Sequence, residues 1–510
     1  MPIWNFIRTN AYHDSVTLMR LTGDMESVPG VTRAAAMMGT PPNRALLAGA
    51  SLLTVEGEGA GPTDLVIAVV ADSPEAADAA RWAAETALTA GPAGTATRAR
   101  PRSLAGALRA LPEATLALVS VPGAYAGAEA RAALRRGLDV MLFSDNVPLA
   151  AEIALKREAL ERGRFVMGPD CGTAILHGVP LGFANGVPRG RVGLVAASGT
   201  GLQEVTCRLA AAGEGVSHAI GVGSRDLSDE VAGIMTLAAL KALAADAATE
   251  IVVLIGKPPG KSVVGPLASA LAVLGKPSVV SLMGSTTFPA TPGAHVAATL
   301  EDAALAAVAL ARGEAPRAVE LTLPDTEVEA LVARAARTLA PGQRFVRGIY
   351  AGGTLAWEAR GLLAARLPDV APGVDGEGTG HRVVDLGDDR FTVGRPHPMI
   401  DGTVRREWIA HEARDPATAV LLLDVVLGYG AHPDPARALL PALEAARREA
   451  AAAGRDLVAI TSVIGTERDP QMRSRQVATL RTVGVLVMDS NAQAARLAGR
   501  IAASVAGGRR

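Results

Sequence analysis

Near the middle of the chain, an apolar strand pattern runs directly into a turn of small and hydroxyl-bearing residues. Residues 192–196 are followed by Ser198, Gly199 and Thr200, and a helical pattern begins at once. A helix N-terminus presents free backbone N–H groups and the positive end of the helix dipole, which attract a phosphate or a carboxylate. We therefore interpret this turn as an anion site, with simple helix capping by Ser198 or Thr200 as the alternative.

A second turn with the same order of features lies in the last third of the chain. Gly352, Gly353 and Thr354 follow the strand pattern 344–350 and precede another helical pattern. Two helix N-termini directed at one point would hold a phosphate or an acyl phosphate between them. We interpret the two turns as a pair, although each alone is also consistent with an ordinary tight turn between strand and helix.

A third glycine-rich turn follows the very apolar strand pattern 420–425. Gly428 and Gly430 lie at the end of this strand pattern, where ligands collect in doubly wound sheets, and are candidate binding residues. His432 comes next, in a proline-rich loop, and is a candidate substrate-binding residue with a structural role as the alternative.

The stretch "GPDCGT" at residues 168–173 forms a fourth turn with polar side chains. Asp170 and Thr173 are candidates for substrate binding. Cys171 is a candidate catalytic residue that would line the same cleft as the predicted anion turns. For Cys171 the alternative is the role of a small buried thiol, which is common for free cysteines.

His295 is the histidine we consider for catalysis. It follows the strand pattern 278–282, where an imidazole could serve as a nucleophile for phosphoryl transfer, and an unreactive loop residue is the alternative. Lys257 and Lys261 lie after another strand and are interpreted as solvated cations. The chain has no HExxH or CxxC spacing and no GxxxxGKS/T loop, which argues against a bound metal and against a P-loop.

The composition limits the functional classes. The 510 residues are 49% hydrophobic and carry a formal net charge of -1, without a basic stripe interleaved with aromatic residues, so nucleic-acid binding is not expected. Two cysteines do not make a disulfide scaffold and suit a reducing compartment. No apolar run reaches the roughly 18 residues of a membrane helix, and no signal peptide opens the chain, so we expect a cytoplasmic protein without a membrane partner.

Strand patterns alternate with Ala- and Leu-rich helical patterns along most of the chain, which is typical of parallel α/β folds. The predicted fold class is α/β, with several doubly wound, Rossmann- or flavodoxin-like domains and a small N-terminal α/β domain. In that small domain we predict strands over 16–20, 32–37 and 65–70. The predicted domains are an ACT-like or ferredoxin-like domain at 1–95, a Rossmann-type domain at 100–190, and flavodoxin-like domains at 191–315 and 327–510.

Several motifs, in one order, resemble a known enzyme superfamily. The run "GPDCGTAILHGVPLGFANGVPRGRVGLVAASGTGLQEV", followed by "GVSHAIGVGSRD" and "TEIVVLIGKPPG", is similar to the α subunit of succinyl-CoA synthetase. The later segments "IYAGGTLAWEA", "VVDLGDD", "VLGYG" and "VIGTERDP" resemble the C-terminal domain of its β subunit. There "VLGYG" matches the phosphate-side glycine loop, which implies phosphate binding by Gly428 and Gly430. An α-like region fused to a β-like domain, behind an extra N-terminal domain, is most similar to the FdrA family.

The resemblance implies roles for particular residues. In the superfamily, two helix N-termini clasp a phosphohistidine, which implies that the Ser198–Thr200 and Gly352–Thr354 turns form that clasp. His295 lies eleven residues after Gly284, a spacing the α subunit shares, although the residues around the histidine differ. The ATP-grasp half of the β subunit is missing, and the glycine-rich CoA turn is not found upstream of residue 100, so the 100–190 domain resembles a truncated CoA-binding domain.

An acyl-phosphate clasp without ATP and CoA sites indicates a changed reaction. The leading hypothesis is a carbamoyltransferase component, acting on carbamoyl phosphate and a small amide or amino acceptor, with oxamate implied by the family. No cofactor is assigned, and phosphate or carbamoyl phosphate is the expected ligand. Partner subunits are expected, and the sequence is also compatible with a homo-oligomer. The alternatives are an ADP-forming acyl-CoA synthetase, which would use CoA, His295 and a separate ATP-grasp subunit, and a non-catalytic subunit.

Overall fold

The structure is a computed structural model that describes residues 2–11, 13, 15–89, 101–283, 288–392 and 396–507. The chain divides into two compact units. The first unit comprises Met1–Ala114 and Asp389–Asp401, and the second comprises Thr115–Asp388 and Gly402–Arg510. Within the described residues, no helix has the length and apolar character needed to cross a membrane.

The first unit is built on a three-stranded antiparallel sheet with the order β1-β3-β2. The central strand packs apolar side chains into a separate core on each face of the sheet. Its elements are β1 (Ile3–Arg8), α1 (Ser15–Glu26), β2 (Val31–Met38), α2 (Pro41–Gly49), α3 (Val55–Glu58), β3 (Leu65–Ala71), α4 (Pro74–Thr89) and α5 (Leu104–Ala110).

Two of the three strands predicted in this unit are confirmed. Strands β2 and β3 cover the predicted runs 32–37 and 65–70. The strand predicted over 16–20 is wrong, because those residues belong to α1. Leu18, Leu21 and Met25 recur at helical spacing and are buried together in the core, so the apolar period is that of a helix.

The second unit opens with a short parallel sheet with the order β4-β5-β6. Its strands alternate with two helices, as the sequence pattern indicates. The elements are β4 (Leu116–Val119), α6 (Gly123–Leu134), β5 (Asp139–Leu142), α7 (Leu149–Glu161) and β6 (Val166–Met167).

A seven-stranded sheet with the order β13-β12-β11-β9-β10-β7-β8 follows. Strands β9 to β13 are parallel, and the β7–β8 hairpin joins the sheet antiparallel to β10. This hairpin falls within the predicted 100–190 domain, although it pairs with the next sheet. The elements are β7 (Thr173–Leu176), β8 (Val179–Gly182), β9 (Arg189–Ala196), α8 (Gly199–Ala211), β10 (Val216–Gly221), α9 (Ile234–Ala245), β11 (Ile251–Gly256), α10 (Lys261–Ala272), β12 (Ser278–Leu282), β13 (Ala294–Val296) and α11 (Leu300–Ala311).

The last sheet has five parallel strands in the order β15-β14-β16-β17-β18. All nine residues of its central strand, β16, are buried, as expected for a parallel strand covered on both faces. The elements are α12 (Asp325–Thr338), β14 (Phe345–Tyr350), α13 (Gly353–Ala364), β15 (Arg382–Asp385), α14 (Asp389–Thr392, in the first unit), α15 (Thr403–Arg414), β16 (Thr418–Val426), α16 (Pro435–Ala452), β17 (Val458–Ile464), α17 (Arg473–Thr482), β18 (Leu486–Met488) and α18 (Asn491–Gly507).

The parallel strands of the two larger sheets share one order. Counted along the chain from β9 and from β14, both sheets follow the flavodoxin-like order 2-1-3-4-5, which confirms the predicted fold class. In such sheets a ligand crevice opens outside the carboxyl ends of the first and third strands. The Ser198 turn follows β9, and the Gly352 turn follows β14. Each predicted anion turn therefore lies at the crevice of its own sheet.

Candidate functional site

Helix α8 begins at the first of the two predicted anion turns. Ser198 is its N-cap residue, and the Ser198 Oγ accepts a hydrogen bond of 2.9 Å from the N–H of Gly201. Ser198 therefore caps the helix, which is the alternative role that the sequence suggested for it. It satisfies one of the four N–H groups that have no partner within the helix. The N–H groups of Gly199 and Thr200 also belong to that set and lie at the carboxyl end of β9.

Helix α13 begins at the second turn and has no side-chain cap at its N-cap residue, Gly352. The N–H groups of Ala351 and Gly352 donate to the two carboxylate oxygens of Asp424 at 2.9 and 2.8 Å. Arg405 pairs with the same carboxylate at 3.0 Å, and both charged side chains are buried. This network fixes the entry of the chain into α13 and leaves the next N–H groups, from Gly353 onward, for another acceptor.

The two helix N-termini meet directly. The hydroxyl of Ser198 donates a hydrogen bond of 2.6 Å to the hydroxyl of Thr354, and both side chains are buried. A Cβ on Gly352 would lie 2.9 Å from the Oγ1 of Thr200, so glycine is needed for this close approach. The positive ends of two helix dipoles, one from each flavodoxin-like sheet, thus lie side by side. We call residues 198–200 and 352–354 the clasp.

Two charged side chains lie near the clasp, one from the strand beside β9 and one from the strand beside β14. Lys257 follows β11, which pairs with β9, and it is half-buried. Asp385 ends β15, which pairs with β14, and its carboxylate lies so close to Gly353 that a Cβ there would collide with it. Burial raises the pKa of Asp385 to about 7, and the positive charge of Lys257 opposes that rise. The clasp therefore combines helix dipoles, a cation and a titratable acid.

The predicted residues of the 168–173 turn fall in different environments. Thr173 lies beside the clasp, with its Oγ1 3.5 Å from the position that a Cβ on Gly199 would occupy. Cys171 is buried and donates through Sγ to the carbonyl of Gly221 at 3.3 Å, and burial raises the pKa of its thiol to about 12. A thiol that stays protonated at neutral pH favours the alternative role of a small buried thiol. Asp170 is exposed, with a φ of 57°.

The glycines of the third turn make structural contacts. A Cβ on Gly428 would collide with the carbonyl oxygen of Phe183, and a Cβ on Gly430 would lie 2.8 Å from the Phe183 ring. The N–H of Gly428 already donates to the side chain of Gln471 at 3.3 Å. In His432, Nδ1 accepts a hydrogen bond from a backbone N–H two residues later. These contacts hold the turn against residues 182–184, and anion binding by this turn stays a prediction.

The structure places His295 away from the clasp within the same sheet. It lies on the edge strand β13, opposite Val279, and two strands, β12 and β11, separate that edge from β9. Neighbouring strands are about 4.8 Å apart, so β13 lies roughly 14 Å from β9. The structure therefore does not bring His295 to the two helix N-termini, and its catalytic role stays a prediction.

Sequence reasoning missed the charged part of the site. Asp424 is the single charged residue in a strand that is otherwise apolar, and this is a recognisable signal for a buried functional or structural group. Asp385 also ends a strand after two valines, before a Gly-containing turn. Lys257 was interpreted as solvated, whereas it is half-buried and interacts with Asp385.

Comparisons with protein families connect both units to known proteins. A family model described as CoA-ligase matches residues 349–501, and one described as AllF, heavy metal-associated domain matches residues 1–102. The chain is 38% identical over 509 residues to the protein YahF of Escherichia coli (strain K12), covering 98% of both chains. This match extends over both units.

Succinate–CoA ligase and one solved structure give further similarity. The mitochondrial subunit alpha-2 of the ADP-forming succinate–CoA ligase of Trichomonas vaginalis is 31% identical over 192 residues. That match covers 36% of this chain, and this chain spans 60% of the relative's length. The structure of ATP citrate lyase from Methanothrix soehngenii is 13% identical, with a TM-score of 0.35, covering 79% of this chain and 84% of that one.

The groups implied by these names do not fit the residues present. Residues 1–102 contain no cysteine, so they lack the thiolates that soft heavy metals prefer, and no described cluster of His, Cys, Asp or Glu could hold a metal. The turns after β4 and β5, residues 120–123 and 143–148, contain Asp145 and neither lysine nor arginine. They are thus unsuited to the strongly anionic phosphates of CoA.

Proposed function

The chain belongs to the FdrA family, within the succinyl-CoA synthetase superfamily, and on that premise we propose that its clasp binds an acyl phosphate. The reaction we assign is transfer of a carbamoyl group between carbamoyl phosphate and a small amide or amino acceptor, with oxamate as the first acceptor to test. The observation that carries the proposal is the contact between Ser198 and Thr354, which brings two helix N-termini together at one point.

The chemistry of the clasp suits the leaving phosphate. As the acceptor nitrogen attacks the carbonyl carbon, the bond from that carbon to the phosphate oxygen breaks and negative charge grows on the phosphate. The N–H groups at Gly199, Thr200 and Gly353 are fixed donors that need no rearrangement to stabilise this charge. Removing one donor of this kind typically costs about 3 kcal/mol of transition-state stabilisation.

Lys257 adds a charge that can compensate the phosphate. It comes from the β11 end of the crevice, whereas the helix α13 donors come from the other sheet. An anion in the clasp would therefore contact elements of both flavodoxin-like sheets. This arrangement supports binding of a phosphate group without a nucleotide loop or a bound metal.

An ADP-forming acyl-CoA synthetase is the second candidate, favoured by the match of residues 349–501 to the CoA-ligase model. That reaction would require a histidine at the clasp, a CoA site and a separate ATP-grasp subunit. The position of His295 on the edge strand and the lack of lysine and arginine in the turns after β4 and β5 weigh against it. A partner subunit is expected in either case, since the succinate–CoA ligase relative is itself named as a subunit.

The test is to supply oxalurate and phosphate to the purified chain, alone and with candidate partner subunits, and to assay carbamoyl phosphate and oxamate. We expect both products without ATP or CoA. In a parallel assay with ATP and a carboxylic acid, formation of ADP only when CoA is added, with a phosphorylated His295, would instead support the synthetase. A partner assembly that keeps full activity after Ser198 and Thr200 are both changed to Ala would indicate a non-catalytic subunit.

A further inference from the structure

Asp385 presents an unused carboxylate oxygen at the clasp. Its side chain is buried, with only 6% of the residue exposed. Oδ1 accepts a hydrogen bond from the N–H of Gly387 at 3.0 Å. Oδ2 has no hydrogen-bond partner among the described residues, and it lies against Gly353, the first residue of α13. Because Oδ2 is not fully enclosed by the described residues, it can accept a hydrogen bond from a ligand at the clasp.

Asp424, on β16 at the other side of β14, shows what a purely structural aspartate looks like here. Its Oδ1 accepts from Ala351 and from Arg405, and its Oδ2 accepts from Gly352. Both oxygens are therefore engaged, and a guanidinium balances the charge. Asp385 has neither a second donor nor a directly paired cation within 4 Å among the described residues. The difference marks Asp385 as the carboxylate that remains available to a ligand.

We propose that Asp385 exchanges a proton with the acceptor nitrogen during transfer at the clasp, an inference that rests on the proposed function. As the new C–N bond forms and the C–O bond to phosphate breaks, Oδ2 takes the proton that the nitrogen must lose. In the reverse direction the same carboxyl group returns that proton to the departing nitrogen. The acceptor class that follows is a small molecule with an N–H group, since its proton is the one transferred.

The surroundings of Asp385 suit this exchange. Burial raises its pKa to about 7, Asp388 and Asp424 raise it further, and Lys257 and the Gly387 hydrogen bond oppose that rise. A carboxyl group whose pKa lies near neutral pH can both take and return a proton. A bound anion would add another negative charge, so binding should draw a proton onto Asp385.

The first experiment measures that proton without requiring turnover. Sulfate, which keeps its charge over this pH range, is titrated calorimetrically into the chain at pH 7.5 in two buffers of different ionisation enthalpy. We expect the wild-type chain to take up a fraction of a proton per sulfate and D385N to take up none. D388N serves as the matched control, because it removes a nearby carboxylate that does not lie against Gly353. It should still take up a proton, with half-maximal uptake at a lower pH.

The second experiment uses the oxalurate assay. D385N should lower kcat by about a hundredfold or more while leaving KM for phosphate within a fewfold, as general acid–base residues typically do. D388N keeps the Asp385 carboxylate and should change kcat by only a fewfold. Equal proton uptake and equal kcat in wild type and D385N would overturn the role of Asp385 while leaving the clasp intact.

Two further outcomes separate this inference from the proposed function. If sulfate binds to neither wild type nor D385N, the anion site itself is wrong, and this inference fails with it. If D385N does not fold, the pH of half-maximal proton uptake in D388N still tests the role of Asp385. A midpoint equal to that of the wild type would contradict proton exchange at Asp385.

Discussion

The hydroxyl of Ser198 donates a 2.6 Å hydrogen bond to the hydroxyl of Thr354, 156 positions along the chain. The same Ser198 oxygen accepts from the N–H of Gly201 and so caps α8. One side chain therefore satisfies one N–H group of its own helix and fixes the second helix against it. The geometry of the clasp depends on this shared hydroxyl.

The Ser198–Thr354 contact predicts energetic coupling between the two sheets. S198A should lower the free energy of unfolding by about 1–2 kcal/mol, because both the helix cap and a buried hydrogen bond are lost. T354V should cost about 1 kcal/mol. Denaturant unfolding of both variants and the double mutant gives the coupling, expected at roughly 0.5–1.5 kcal/mol. Strict additivity would mean that the two hydroxyls do not stabilise each other.

Glycine at the start of α13 is required by the Asp385 carboxylate. In G353A the added Cβ would collide with that carboxylate, so we expect weaker sulfate binding and a loss of about 1–3 kcal/mol in unfolding free energy. G361A is the matched control, because a Cβ there meets no atom within 4 Å. It should stabilise the chain by about 0.5–1 kcal/mol and leave sulfate affinity unchanged. Calorimetry and thermal unfolding check both; equal sulfate affinity in the two variants would argue against an anion site at Gly353.

Lys257 should contribute to anion affinity whereas Lys261 should not. K257M removes the half-buried cation that interacts with Asp385, and we expect about tenfold weaker sulfate binding. K261M removes an exposed lysine four positions later and should change the Kd less than twofold. The measurement is titration calorimetry at two salt concentrations. If K261M weakened sulfate binding more than K257M, Lys257 would not be the cation of the anion site.

A buried carboxyl group makes stability depend on pH. Burial raises the pKa of Glu204 to about 7 from an ordinary value of 4.5, so its contribution to stability is fully present below pH 4.5 and is lost as pH rises through 7. E204Q removes this loss and can keep the hydrogen bond from the N–H of Asn491. We expect it to gain about 1–3 kcal/mol over wild type at pH 8 and almost nothing at pH 4.5.

The control for this pH dependence is the exposed residue Glu129 on α6. Thermal unfolding of E129Q should match the wild type at both pH values. If E204Q is no more stable than wild type at pH 8, the carboxyl group of Glu204 does not lose stability by ionising in the folded protein.

The fold and the clasp turns were largely readable from the sequence. Long apolar runs such as 420–425 carry the strand signal because parallel strands are buried on both faces. The turns at Ser198 and Gly352 were recognisable because small residues join a strand to a helix there. In the first unit, the helix over 15–26 was mistaken for a strand because the window was too short to show its period.

The sequence alone does not predict which residues far apart along the chain come into contact. Asp385 and Gly353 are brought together by the pairing of β15 with β14, and Ser198 and Thr354 by contact between two sheets. Such contacts depend on strand order, which local patterns do not encode. The half-buried position of Lys257 has the same origin, since exposure at a strand end depends on what packs over it.

The most direct test of the clasp is a crystal structure of the chain with a carbamoyl phosphate analogue in which a methylene group replaces the bridging oxygen. We predict that the phosphonate lies within hydrogen-bonding distance of the N–H groups of Gly199, Thr200 and Gly353, with its carbamoyl end toward Asp385. An analogue bound elsewhere, with the clasp N–H groups directed at solvent, would contradict an acyl-phosphate site between the two helices.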